Sequence, residues 1–147
     1  GAAGAFPPII GWVAMTESIN LLPIILFIII FLWTPPHFWS LALVKTEDYK
    51  KANIPMMPNV VGESSTKKQI LFYSVLLFIS SLSPFILGLT GYIYFFGSFT
   101  MSLGFCFLSI GLIIFPNRKL EIPLFVYSIF YLFGIFVFLV IDKYFVV

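Results

Sequence analysis

Four stretches of this chain, Leu21–Val44, Ile70–Gly88, Tyr92–Phe115 and Ile122–Ile141, are apolar over close to the ~20 residues that a ~30 Å hydrocarbon core demands. A segment in lipid cannot leave its peptide groups to water, so each must close its own hydrogen bonds as a helix. With 61% hydrophobic, 20% aromatic and only 10% charged residues, 147 residues carry more apolar side chain than a water-soluble core of that size can hide. The expected fold class is therefore all-α, an integral membrane helical bundle of about four complete spans. Gly1–Met15 reads as part of a fifth: Gly1 and Ala5 leave the backbone bare for close helix approach, and Pro7-Pro8 bend or end it. The opening residues, with no initiator Met and no basic n-region, read as a piece of a longer protein that starts within a helix.

The basic residues set the orientation. Lys45, Lys50, Lys51, Lys67 and Lys68 lie between the first and second spans, Arg118 and Lys119 between the third and fourth, and Lys143 alone at the opposite side. The positive-inside rule puts loop 45–68 and the 116–121 connection in the cytoplasm or its organellar equivalent. A net charge of +2 with no basic face excludes a nucleic-acid partner. The single cysteine, Cys106, has no mate for an intrachain disulfide. Thr66-x-x-Gln69 has the form of a capping box and predicts the start of the second span there. Gly97, Ser98, Thr100, Ser102, Gly104, Ser109 and Gly111 fit the third span for tight packing, and Trp12, Trp33 and Trp39 fit interfacial belts.

Chemistry concentrates at the end of the first span. Trp33-Thr34-Pro35-Pro36-His37-Phe38-Trp39 holds the one histidine and two adjacent prolines, which cannot donate to the carbonyls of Phe31 and Leu32. His37 either donates to a carbonyl so freed or is an intramembrane functional group. If the helix ran on past Lys45, Asp48 would return to the face of His37 ~16 Å further along the axis. Asp48, Glu47, Lys45, Lys50 and Lys51 form either a solvated face or a diphosphate site, in which carboxylates hold Mg²⁺ and lysines neutralise phosphate oxygens. Ile54-Pro55-Met56-Met57-Pro58 argues for a stiff rather than a loose connection. No Walker loop, dinucleotide fingerprint, HExxH, CxxC or nucleophile elbow is present.

Three blocks occur in order: 1–12 (Gly1-Ala2-Ala3-Gly4-Ala5-Phe6-Pro7-Pro8-Ile9-Ile10-Gly11-Trp12); 31–43, centred on Trp33-Thr34-Pro35-Pro36-His37-Phe38-Trp39; and Asp48-Tyr49-x-x-Ala52-Asn53-Ile54-Pro55-Met56-Met57-Pro58 with Gly62. They closely resemble the haem O synthases (protohaem IX farnesyltransferases), a family of the UbiA superfamily of intramembrane prenyltransferases. The likeness is specific over residues 1–62, and residues 63–147 agree as a pattern of spans. It implies a nine-helix α-bundle of which residues 1–147 form the C-terminal half of a single domain, with active-site loops on the cytoplasmic side of a bacterial or mitochondrial inner membrane. Glu17 stands where the family often has glycine, a position in a turn.

The activity so implied transfers farnesyl from farnesyl diphosphate to a vinyl group of haem B, giving haem O. In the superfamily two acid-rich motifs, one per half, bind the prenyl diphosphate through Mg²⁺. The second matches the region of Asp48, with Ala52 where a second Asp would stand, a reduced form that haem O synthases share. The first, an Asn-Asp-x-x-Asp sequence, is absent here and is expected in the N-terminal half. The resemblance thus implies Asp48 and Glu47 for metal, Asp48 and Lys51 for catalysis, Lys45, Lys50 and Lys51 for diphosphate, and His37 with Trp39 for haem, His37 as iron ligand or propionate partner. It implies as partners the lipid bilayer, the N-terminal half, and haem A synthase or a terminal-oxidase assembly. A UbiA-type enzyme acting on a quinone precursor, which has no iron for His37, and a non-enzymatic transporter or complex subunit are the alternatives.

Overall fold

The computed structural model describes residues 1–116 and 119–145, so Arg118 of the basic connection lies outside the described residues. Eight helices follow in chain order: α1 Ala2–Ala5, α2 Pro7–Thr16, α3 Leu21–Val44, α4 Thr46–Lys51, α5 Met57–Val61, α6 Glu63–Ile86, α7 Tyr92–Ile114 and α8 Glu121–Phe145. Four of them, α3, α6, α7 and α8, are long and apolar enough to cross a membrane. They close a ring in which α3 packs on α6, α6 on α7, α7 on α8 and α8 back on α3.

The ring interior follows the sequence spacing. On α8 the buried residues are Leu124, Ser128, Tyr131, Ile135, Leu139 and Asp142, three and four apart, the seam of helices crossing at a shallow angle. Small residues on α7 let large ones on α8 and just before it sit flush. A Cβ at Gly97 would run into the Phe138 ring, one at Gly104 into the Tyr127 hydroxyl, and one at Gly111 into Leu120. The expected packing role of the third span is realised there. Polar rungs cross the interior: Ser74 to Ser109 at 2.8 Å, Ser81 to Ser102 at 2.8 Å, and Ser102 to Tyr131 at 3.1 Å. At roughly 0.6 kcal/mol each in a membrane, such bonds fix register more than they supply stability.

Two sequence expectations change at the start of the second span. The second span begins at Glu63, ahead of Thr66, and Thr66 is buried inside it with its Oγ1 donating to the Gly62 carbonyl at 2.8 Å. The capping box therefore does not form. Gly62, at φ 87° and ψ 158°, makes a turn that only glycine adopts without strain and starts the helix instead. The first span ends where its hydropathy put it: α3 stops at Val44, Lys45 (φ −101°, ψ 17°) interrupts it, and α4 begins at Thr46. Asp48 is thus not carried along the α3 helix from His37. α3 is one element through Pro35 and Pro36. Glu17 caps α2 in the left-handed region at φ 54°, which explains why glycine suits that position.

At the end opposite the lysine-rich connections, α8 ties down the α6–α7 turn. Gly88 (φ 69°) closes α6, with Leu89 N–H donating to the Pro84 carbonyl at 2.8 Å. The carboxylate of Asp142, 1% exposed, accepts from Gly91 N–H at 2.6 Å and Tyr94 N–H at 3.1 Å, and Lys143 Nζ donates to the Leu89 carbonyl at 2.7 Å. A negative charge at the free N–H groups of α7 complements its dipole. Asp142→Ala is expected to destabilise the bundle by about 2–3 kcal/mol, because it strands two buried donors, with Asp142→Asn losing less; thermal unfolding in detergent measures both.

Candidate functional site

His37 and Trp33, one turn apart on α3, reach the same residue of α8. Trp33 Nε1 donates to the Ser128 carbonyl at 2.8 Å, and His37 Nδ1 lies 2.6 Å from Ser128 Oγ. The imidazole is sandwiched: Trp33 stacks on one side at 4.2 Å between centroids and Phe125 of α8 on the other at 4.8 Å, with Phe38 edge-on at 5.2 Å. His37 therefore does not spend itself on a carbonyl freed by the prolines; its partner is a hydroxyl on another helix.

These residues form the wall of an open groove of about 490 Å³ between α3 and α8, lined by Trp33, His37, Phe125, Ile129, Phe133 and Phe136, with Leu132 alongside. Its lining is apolar apart from the imidazole and the Trp33 N–H, which is already bonded to Ser128. Trp39 is not part of it: its indole meets Tyr73 of α6 edge-on at 5.4 Å.

The antiparallel ring gathers the lysine-rich connections at one end of the bundle. In α4, Lys45 pairs with Asp48 at 3.6 Å and Lys50 with Glu47 at 3.3 Å, every one of the four side chains more than half exposed. Pairs so exposed are worth at most about 1 kcal/mol, so the four side chains are held only weakly. Thr46 anchors α4 by donating to the Ala42 and Leu43 carbonyls at 3.0 and 2.9 Å. Lys51 makes no ion pair among the described residues. Lys67, by contrast, is committed: its pair with Glu121 at 3.2 Å, with side chains 14% and 17% exposed, staples α6 to the start of α8. Met57–Val61 forms α5 with Pro58 buried, so the connection is stiff, as its prolines indicated.

Among the described residues no three His, Cys, Asp or Glu side chains come together as a metal cage. Mg²⁺ rarely uses such a cage; it takes one or two carboxylates, waters and substrate phosphates, and neighbouring Glu47 and Asp48 fit that donor set. Sequence reasoning missed Phe125 and Ser128, and took Trp33 for an interfacial residue. The available signal was Ser128 itself, a hydroxyl amid Leu124, Phe125, Val126, Ile129 and Phe130.

Residues 1–140 match the UbiA prenyltransferase family, and the chain belongs to it. Among curated relatives, the protoheme IX farnesyltransferase of Thioalkalivibrio sulfidiphilus is 46% identical over 144 residues, covering 98% of this chain and 48% of its own. That of Erythrobacter litoralis is 50% identical over 149 residues, with 98% and 48% covered, and that of Rickettsia felis 51% over 141 residues, with 95% and 46% covered. The chain spans about half the length of the curated relatives it matches. No solved structure matches it. The family and the four apolar helices together make this an integral membrane protein.

Because both α4 ion pairs are exposed, Glu47→Gln and Asp48→Asn should each change unfolding stability by less than about 0.5 kcal/mol. Chemical denaturation in detergent checks this, and a larger loss would assign the two acids to the scaffold.

Proposed function

We propose that this member of the UbiA family supplies one half of a haem O synthase, the C-terminal half of a single prenyltransferase domain that joins farnesyl to a vinyl group of haem B. The observation that carries the reading is identity of 46–51% over nearly the whole chain to proteins named for that reaction. The quinone-precursor alternative finds no use for an imidazole on the wall of an apolar groove, and the transporter alternative none for the family's chemistry.

In this reading the haem lies in the α3–α8 groove with His37 toward its iron, and the diphosphate lies at α4. Asp48 and Glu47 would hold Mg²⁺, which would supply positive charge to offset that of the departing diphosphate. Lys45 and Lys50, released from their exposed pairs, and Lys51, already unpaired among the described residues, neutralise phosphate oxygens. Lys51 and Asp48 stand closest to the chemistry. As the C–O bond to diphosphate breaks, the vinyl carbon forms the new C–C bond, and the cation left beside the porphyrin loses a proton or takes up water. The apolar helix faces keep water from the allylic cation before that. Trp39, packed on Tyr73, has a supporting rather than a contact role. The α4 end faces the cytoplasm of a bacterial cell or the matrix of a mitochondrion, and haem A synthase or a terminal-oxidase assembly is the natural recipient of the product.

Two outcomes test this. In cells lacking their own enzyme, residues 1–147 co-expressed with the N-terminal half of a relative should yield haem O on chromatography of extracted haems. The chain alone should yield none, since two acids on one helix cannot surround a diphosphate. Asp48→Asn in the co-expressed pair should abolish the product while haem binding persists; haem O at the normal level from that variant would remove Asp48 from the site. For orientation, with Cys106 replaced, a cysteine at Ser64 should react with an impermeant thiol reagent from the cytoplasmic side and one at Leu87 only from the other; both reacting from one side would overturn the topology.

A further inference from the structure

A proton count around Ser128 fixes the state of His37. Ser128 Oγ lies 2.6 Å from the Phe125 carbonyl oxygen and 2.6 Å from His37 Nδ1, and both separations require a proton between the atoms. The carbonyl has none to give and the hydroxyl has one. If that one were turned to the histidine, two oxygens with facing lone pairs would stand 2.6 Å apart. The hydroxyl therefore donates to Phe125, and His37 supplies the second proton from Nδ1. A neutral imidazole protonated at Nδ1 carries its lone pair at Nε2, which has no partner among the described residues. Trp33 and Phe125 cover the two ring faces and Phe38 stands edge-on, while the imidazole lines the α3–α8 groove.

We infer that Ser128 is a positioning residue: it holds His37 as the Nδ1–H tautomer and aims the free electron pair of Nε2 into the α3–α8 groove, as a donor to the metal of a flat apolar ring. This deepens the haem assignment and rests on it. The arrangement is that of metal-binding histidines generally, whose second nitrogen is held by an outer hydrogen-bond acceptor that sets tautomer and ring orientation. Here the acceptor is a hydroxyl made a pure acceptor by its own helix. The neighbouring bond from Trp33 ends on the backbone carbonyl of Ser128, so replacing the serine side chain leaves it in place.

The test has a ligand-free arm and a ligand arm, both on the chain in lipid nanodiscs with its co-expressed half. Because this chain has one histidine, ¹⁵N-histidine incorporated into it alone, by segmental labelling, gives one imidazole to follow. At pH about 8, where imidazole is neutral, the wild type should show the proton on Nδ1, and Ser128→Ala should move most of the population to Nε2–H. A wild-type proton on Nε2 overturns the inference. In the second arm, haemin is titrated and its Soret band recorded. His37→Ala should lose the histidine-ligated spectrum, and Ser128→Ala should keep it with affinity weakened about tenfold. If His37→Ala matters and Ser128→Ala binds as the wild type does, the positioning role is wrong while the haem site stands. If His37→Ala binds haemin unchanged, the haem assignment of the groove fails and the inference with it.

Discussion

Inside a hydrocarbon slab no water is available to a polar atom, and the whole bundle is organised by that constraint. Each hydroxyl, indole or imidazole that the spans carry must find its partner in protein, and the partner is often on another helix. Ser74 with Ser109, Ser81 and Tyr131 through Ser102, Trp33 and His37 with Ser128, and the α7 N–H groups with Asp142 are cases of one requirement. None is worth much alone. Together they forbid the helices from sliding by a turn, because a slip would strand a polar group in apolar surroundings at a cost of several kcal/mol.

Apolar packing supplies the cohesion and the polar bonds supply the register, and the functional groove depends on both. Gly97, Gly104 and Gly111 draw α8 close to α7, which leaves Phe125, Ile129, Phe133 and Phe136 of α8 turned toward α3 and the groove. The two bonds to Ser128 then lock α3 against α8 at the height of His37. Rigid placement of this kind is what a histidine needs if it is to meet a ligand rather than turn back to its own backbone.

The charged end follows the opposite logic. The acids of α4 are exposed and paired only with lysines three residues away, so little free energy holds them and a substrate can reorganise them. Lys67 and Glu121, mostly buried, instead fasten α6 to the start of α8.

The sequence by itself determined the class, the number of spans, the common side of the lysine-rich connections and the stretch around His37, because these depend on length, hydropathy and the chemistry of single residue types. The family likeness also marked Glu17, where the turn takes a left-handed backbone. The sequence left open whether the helix runs on past Lys45 toward Asp48, and the structure interrupts it there, with α4 starting at Thr46. Thr66 carries the letters of a helix cap but sits inside a helix, because Gly62 had already begun it. Above all, the separation of His37 from Ser128 by 91 positions hides their contact from any local pattern. Only the closing of α8 against α3 brings the two together. Periodicity says which residues face inward; which inward residues meet is decided by how the helices pack.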